Sequence, residues 1–292
     1  MVDMKKIRQL IQVKFVFALL LSATTASAQK GKPVKIASYN IQYDNLDDSI
    51  NSWAKRKLGV QYIFEKYKFD VVGSQEPFLN QMKDLKGLLK GYTALGVNVI
   101  GDTTTLRRHF TPIFYKKSRL KLKDWDTFWL SETPDRSGKG WDAYSARICT
   151  WAKFEDRKTK KQFFVFNVHF DHLGEIARIE SPKLLLQKIQ QLAGNSTFFV
   201  TGDFNTNQTT DNYRLMAGSG VVKDGYVVAK RNLTPDQTTF NGYSAKMEGT
   251  NRIDHIYVAP SVAVDQYEII TTKYQGTYPS DHFPVWIKAF IN

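Results

Sequence analysis

Only one cysteine, Cys149, stands among 292 residues. An intramolecular disulfide is therefore excluded, and so is a thiolate-rich metal cluster. In RICTWAKF, Cys149 reads as a buried strand residue rather than a nucleophile. The chain also lacks a Pro/Gly/Ser-rich linker, a low-complexity tract and an internal repeat, which favours one large domain over two small ones. Beyond the N-terminal region no stretch is long and apolar enough to cross a bilayer. Histidine is scarce as well, with five in all, and HFDH has the wrong neighbours for a tetrahedral zinc set. Stability has to come from the core, which a composition 42% hydrophobic and 13% aromatic can supply.

What the chain does have begins with a basic N-terminus (Lys5, Lys6, Arg8, Lys14) followed by the apolar run Phe15 to Leu21. Small residues ending in Ala26-Ser27-Ala28 complete the pattern of a secretory signal peptide, residues 1–28, with cleavage after Ala28. Residues 29–292 are then the folded domain, exported to the periplasm or the extracellular space. The formal net charge is +13. Such a surface favours anionic partners, either nucleic acid, phosphate esters or an anionic membrane face. Many of its lysines, such as Lys116, Lys117, Lys158 and Lys160, read as solvated hairpin charges.

Strand-like runs recur along the chain. They include Val34–Ile41, Asp70–Glu76 with a break at Gly73, Pro112–Lys117, Leu120–Leu130, Arg147–Glu155 and Gln162–Phe170. Phe198–Asp203, Arg252–Val258, Val264–Thr271 and Phe283–Phe290 complete the set. Val60, Ile63, Phe64 and Tyr67 mark one face of a helix. A second helix is expected over Glu175–Leu192, with Ile176, Ile179, Leu186 and Ile189 as apolar teeth and Pro182 kinking or breaking it. This order predicts an α/β (α+β) four-layer sandwich: two mixed β-sheets face to face with flanking helices.

Polar residues gather where these apolar runs end. Asn40 closes the first strand and Gln75-Glu76 the second. His169 sits in FFVFNVHF with Asn167 on the same face by period two. Asp203 and Asn205 follow FFVTG, Asp254 lies inside RIDHIYV, and Asp281-His282 precede the last strand. For Asp203 and Asn205 two readings stand: they serve a ligand at a strand end, or they bond their own turn. Glu, Asp and Asn oxygens are hard ligands suited to Mg²⁺ or Mn²⁺. Histidines beside carboxylates add a donor and a base, and Arg147 adds a cation for developing phosphoryl charge. Together they point to metal-assisted hydrolysis of a phosphate ester.

SYNI, QE, NVHFDH, GDFN, RIDHIYV and SDHFPV, in that order, resemble the endonuclease/exonuclease/phosphatase superfamily, over Lys35 to Phe290. WAKRK, FWLSETPD, GWD and RICTWAKF resemble its bacterial deadenylase-like branch. The resemblance implies Asn40 and Glu76 as the metal-side pair, with Asp281 near the same ion. It implies that Asp203 and Asn205 bind and orient the nucleophilic water or the scissile phosphate. His282, held by Asp254, would act as a charged donor to the phosphate, and His169 would contact another phosphate oxygen. Arg147 matches the arginine that opens a strand in nuclease members. Asp171, His172 and Arg178 fit the deadenylase-like extension, and Trp53 and Arg56 either line the mouth or pack, with packing favoured. Many relatives carry a glutamate six residues before the tyrosine of the PIFY strand, where this chain has His109. His109 either faces substrate or is a tolerated loop substitution.

The leading expectation is an exported, Mg²⁺-dependent phosphodiesterase, monomeric, cleaving RNA or DNA. The alternative is a phosphatase or phospholipase acting on inositol phosphates or phospholipid head groups. A non-catalytic binding protein ranks last, because GDFN and SDH are intact. For a nuclease, Trp125, Trp129 and Trp141 are candidate stacking platforms.

Overall fold

The computed structural model of the protein describes residues 32–244 and 249–291, so the expected signal peptide lies outside the described residues. In chain order the elements begin β1 (Val34–Asn40), α1 (Trp53–Tyr67), β2 (Val71–Gln75), α2 (Leu79–Leu88), β3 (Tyr92–Leu95) and β4 (Ile113–Lys116). Then come β5 (Leu120–Trp129), β6 (Ile148–Asp156), β7 (Gln162–His169), α3 (Glu175–Leu192), β8 (Phe198–Asp203) and α4 (Asp211–Ala217). The chain closes with β9 (Lys223–Asp224), α5 (Gly225–Val228), β10 (Arg231–Asn232), β11 (Asp254–Val258), β12 (Ala263–Ile269) and β13 (Val285–Phe290).

Among the described residues thirteen strands make two mixed sheets, as the sequence pattern predicts. One runs β10-β12-β13-β1-β2-β4-β3 and the other β5-β6-β7-β8-β11-β9. The pairs β1–β2 and β7–β8 are parallel and lie inside their sheets. Their near-continuous apolar runs follow, since both faces are covered. Alternation sorts the faces. Ala37, Tyr39 and Ile41 join Val60, Ile63 and Phe64 of α1 in an outer cluster. Val34, Ile36 and Val71 instead join Phe163, Val165 and Phe199 in the core between the sheets. Asn40 is therefore on the inner face, and so are His169 and Asp203. The site is the end of the inter-sheet core, where apolar pairs give way to polar ones.

Two expectations are corrected here. Gly73 does not break its strand: β2 runs through it in register with Ser38 of β1. A Cβ at Gly73 would overlap Thr201 Oγ1 and Asn167 Oδ1 from the opposite sheet, so the glycine serves close sheet-to-sheet approach. Gly73→Ala should destabilise the protein by about 1–3 kcal/mol. Urea unfolding checks this, and an unchanged midpoint would show that the sheets part freely at this point. In α3, Ile176 and Ile179 are exposed, whereas Ala177, Ser181, Pro182, Leu185 and Ile189 are buried. The helix meets the core through a face shifted from the expected one, and Pro182 lies within a single helical span. Its first-turn amides are capped from another loop: Asp142 accepts from Ile176 N at 3.1 Å and Ala177 N at 2.8 Å.

Candidate active site

Four adjacent strands, β1 and β2 of one sheet with β7 and β8 of the other, end at one cleft of about 580 Å³. Register places His169 beside Asp203, and Asn40 beside Gln75, next to Glu76. Asn40 Nδ2 donates to Glu76 Oε1 at 2.9 Å and to Asp203 Oδ2 at 3.0 Å, joining the two sheets. Asn40 Oδ1 accepts from Gln42 N at 3.0 Å. In this arrangement Asn40 holds the carboxylates through its donor and keeps its oxygen on the backbone.

Asp203 closes a local turn with one oxygen and turns the other toward the cleft. Its Oδ1 accepts from Asn205 N at 2.9 Å. Its Oδ2 faces the cleft, 3.5 Å from His169 Nε2 and 3.7 Å from His282 Nε2. Asn205 Nδ2 donates to Phe170 O at 2.9 Å. Glu76 is gathered by Asn40 and, through Oε2, by the Tyr43 amide at 3.0 Å. His282 Nδ1 meets Asp254 Oδ2 at 2.9 Å, which leaves Nε2 toward Asp203 and the cleft. The Ser280-Asp281-His282 turn is anchored by Ser280 Oγ donating to Asn40 O at 2.7 Å. Glu76 and Asn205 have positive φ, 76° and 50°, as does Gln42 at 55°. Non-glycine residues in that region mark places where side-chain direction outranks backbone comfort.

Electrostatics separate the groups. Burial lowers the His282 pKa, but Asp254 and Asp203 outweigh it, and the ring is held charged well above its ordinary value. Burial drives His169 the other way, well below its ordinary value, and the nearby Arg147 charge adds to this. Asp203 is pushed up to about 7 by burial, against the pull of His282. Asp281 is pushed up to about 6, again by burial first, with Glu76 adding and His282 opposing. For Glu76 burial is outweighed by His109, Asn40 and His282, and its pKa falls. Ligand atoms of Glu76, His169 and Asp203 lie within 4.8 Å of one another, and Asp281 lines the same cleft. Asp203 and Asp281, whose ionisation burial opposes, and Glu76, whose ionisation its neighbours favour, line one space and fit a hard divalent cation. Asp254 and His282 also cluster with Asp203, but their mutual hydrogen bond commits that pair.

The remaining expected residues divide. Arg147 lines the cleft, with Nε donating to Asp171 Oδ2 at 3.1 Å and Nη2 3.1 Å from His172 Nδ1. Asp171 lies buried behind it and also gathers the amides of Tyr144, Ser145, Leu173 and Gly174. These bonds hold its carboxyl below the usual range, although burial pushes the other way. Asp171 thus sets the position of Arg147 rather than reaching the cleft. His172 lines the cleft, whereas Arg178, on α3, does not. His109 lines it too, its ring stacked on Tyr43 at 5.3 Å. Arg56 packs, as expected, and binds the carbonyls of Ile41, Gln42, Tyr43, Asn51 and Pro279. Trp53 is buried with its indole on Asp84. None of Trp125, Trp129 and Trp141 lines the cleft. Its aromatic lining is Tyr43, Tyr144 and Phe240, the last two 63% and 47% exposed.

Sequence reasoning passed over Gln42, Tyr144 and Phe240. Gln42 Nε2 donates to Asp281 Oδ2 at 3.0 Å, and its Oε1 accepts from Tyr243 OH at 2.6 Å. A glutamine two residues beyond the β1 end was a legible signal. Tyr144 and Phe240 sit in loops that carry none.

A sequence model of the Endonuclease/Exonuclease/phosphatase family matches residues 37–282, a span that holds every cleft residue named above. The chain belongs to that family. Its members are metal-dependent hydrolases of phosphate esters, and this protein is one. A family structure from Bacteroides vulgatus is 38% identical, covers 89% of this chain and 99% of its own, and superposes with a TM-score of 0.83. A mannosyl-6-phosphatase of Bacteroides thetaiotaomicron is 36% identical over 88% of this chain and 99% of its own, with a TM-score of 0.83. An uncharacterized protein of Acanthamoeba polyphaga mimivirus is 33% identical over 100 residues, 32% of this chain and 37% of that protein's length. Among the described residues no helix is long and apolar enough to cross a membrane.

Proposed function

We propose that this phosphoesterase removes phosphate from a small phosphorylated sugar, using Mg²⁺ or the similarly hard Mn²⁺. The observation that carries this reading is the charge of the cleft. Among the described residues its fourteen lining side chains include one guanidinium, Arg147, and no lysine, although the chain is +13 overall. A groove that follows a nucleic-acid backbone needs a track of cations. A bounded bowl with one arginine, four histidines and exposed aromatic faces suits a single phosphate carried on a sugar. The 36% identity to a mannosyl-6-phosphatase supports the same reading. The nuclease expectation therefore becomes the competitor in the test.

In this proposal Glu76, Asp203 and Asp281 hold the divalent ion, with Asn40 fixing the spacing of the first two. The bound cation neutralises phosphoryl charge as a Lewis acid. His282, protonated and oriented by Asp254, donates to a phosphoryl oxygen from Nε2. Asp203 and Asn205 orient the attacking water, the Asn205 amide fixing Asp203 Oδ1 at 2.9 Å. Neutral His169 hydrogen-bonds a second phosphoryl oxygen, and Arg147 supports the charge that develops there. His109 and His172 face the sugar. Export, directed by residues 1–28, and a monomeric state belong to the same proposal. An N-terminus at Gln29 and a single-chain mass in solution check them.

The experiment offers mannose 6-phosphate, single-stranded RNA, double-stranded DNA, an inositol polyphosphate and sphingomyelin to the purified protein, with Mg²⁺, Mn²⁺ or chelator. Chelator-sensitive phosphate release from the sugar is the expected result, with Glu76→Gln raising the Mg²⁺ needed by about tenfold. Cleavage of nucleic acid with the sugar phosphate untouched would replace this reading with the nuclease one.

A further inference from the structure

One layer beneath the cleft the two sheets are joined by a polar network centred on Asn167, which is fully buried. Its Nδ2 donates to Ser74 O at 2.7 Å and to Pro112 O at 2.9 Å, both across the gap in the other sheet's strands and their approach. Its Oδ1 accepts from Gln75 Nε2 at 2.7 Å and from Thr201 Oγ1 at 3.0 Å. Both hydrogens and both lone pairs of the amide are used. Gln75 Nε2 also reaches Ser38 Oγ at 3.2 Å, which extends the network to β1. Gly73 completes it, because only a residue without a Cβ leaves room for Thr201 and Asn167.

The network stands in a definite relation to the chemistry. Asn167 and Thr201 are register partners, and two residues on, along the same strand faces, His169 and Asp203 are partners again. Gln75 pairs with Asn40 and immediately precedes Glu76. Two residues of strand are about 7 Å. The layer therefore sets how far apart the sheets lie at the level where Asn40 and Glu76 of one meet His169 and Asp203 of the other. Asn167 uses every polar atom of its amide, although Gln75 Oε1 has no partner among the described residues, and loss of Asn167 would strand several more buried polar groups.

We propose that Asn167, seconded by Thr201, is a positioning residue for the phosphoesterase site, fixing the inter-sheet spacing on which the cation-binding carboxylates depend. The inference rests on the metal-dependent reading of the site, but not on which phosphate ester is the substrate. A displacement of about 1 Å at reacting groups can cost as much as about 100-fold in rate.

The test compares Asn167→Leu, Thr201→Val and Thr201→Ser with the parent protein, each assayed at least about 15 °C below its own unfolding midpoint. Hydrolysis is followed on p-nitrophenyl phosphate and bis-p-nitrophenyl phosphate, and Mn²⁺ affinity is measured by the electron paramagnetic resonance of free Mn²⁺ without substrate. Expected are a kcat lowered about tenfold or more in Asn167→Leu with KM within about twofold, and Mn²⁺ affinity weakened by about tenfold. Thr201→Val should shift both in the same direction, and Thr201→Ser should restore them to within about twofold. Should Asn167→Leu fail to fold, the valine and serine pair still decides. Parental kcat and Mn²⁺ affinity in folded Thr201→Val would overturn the proposal and leave the network a stability feature. Parental protein that binds Mn²⁺ but hydrolyses neither ester would count against the functional reading instead, with the Mn²⁺ comparison still deciding this one.

Discussion

His282→Ala should lower kcat by about 10²–10⁴-fold, and because it leaves Asp254 a buried carboxylate without its partner it should lower the unfolding midpoint as well. The imidazole is buried against Asp254 at 2.9 Å, and Asp254 and Asp203 together keep it protonated despite burial. Alanine removes a charged imidazole whose Nε2 lies toward Asp203 and the cleft. The loss is expected in kcat rather than KM, since the charge matters most when the phosphoryl oxygens carry most negative charge. Asp254→Asn should give a smaller loss, because the ring remains but its orientation and charge are less well held. Steady-state kinetics with a thermal melt on the same samples makes the check. A folded His282→Ala protein retaining more than about a tenth of parental kcat would remove His282 from the chemistry.

The largest stability effect is expected at Asp224→Asn, outside the cleft lining. Asp224 Oδ2 accepts from Arg252 Nη1 at 3.1 Å and from Tyr213 OH at 2.8 Å, and Oδ1 accepts from Tyr226 N at 2.9 Å. The Arg252 guanidinium also lies over the Tyr226 ring, 3.7 Å from its centroid. Both partners of the ion pair are almost fully buried, at 5% and 1% exposure. An asparagine fits the space but leaves Arg252 as an uncompensated buried cation, which costs about 3–5 kcal/mol. For a domain of this size that is a drop of roughly 6–20 °C in Tm. Catalysis at 25 °C by the folded fraction should be unchanged. Calorimetry decides, and a shift under about 2 °C would mean that water or a rearranged Tyr213 compensates the arginine.

Much of the site was legible because β-strands translate sequence into direction. Alternation in FFVFNVHF and FFVTGD puts His169 and Asp203 on the inner face, and the parallel register of β7 and β8 makes them neighbours. Asn40, Glu76, Asp254, Asp281 and His282 end or flank buried strands in the same way. Less was legible where direction depends on loops. Asp171 is the same residue type as Asp203, yet a ring of loop amides turns it into a bracket for Arg147. The exposed Tyr144 and Phe240 come from connections with no periodicity to read. Gly73 illustrates a third case: a glycine in a strand signals a break or a close approach, and only the opposite sheet tells which. In α3 the spacing of Ile176 and Ile179 pointed to the core, but Asp142 and the helix's docking on the sheet chose the neighbouring face.

Cys149 has a practical consequence. Its thiol is fully buried in β6, and burial raises its pKa well above the ordinary thiol value, so the protein offers no reactive sulfur to a maleimide. A cysteine placed at Tyr144, on the cleft wall, would then be the single thiol a dye can reach. Fluorescence from that position would report occupancy of the cleft in real time, on a protein that needs no background mutations.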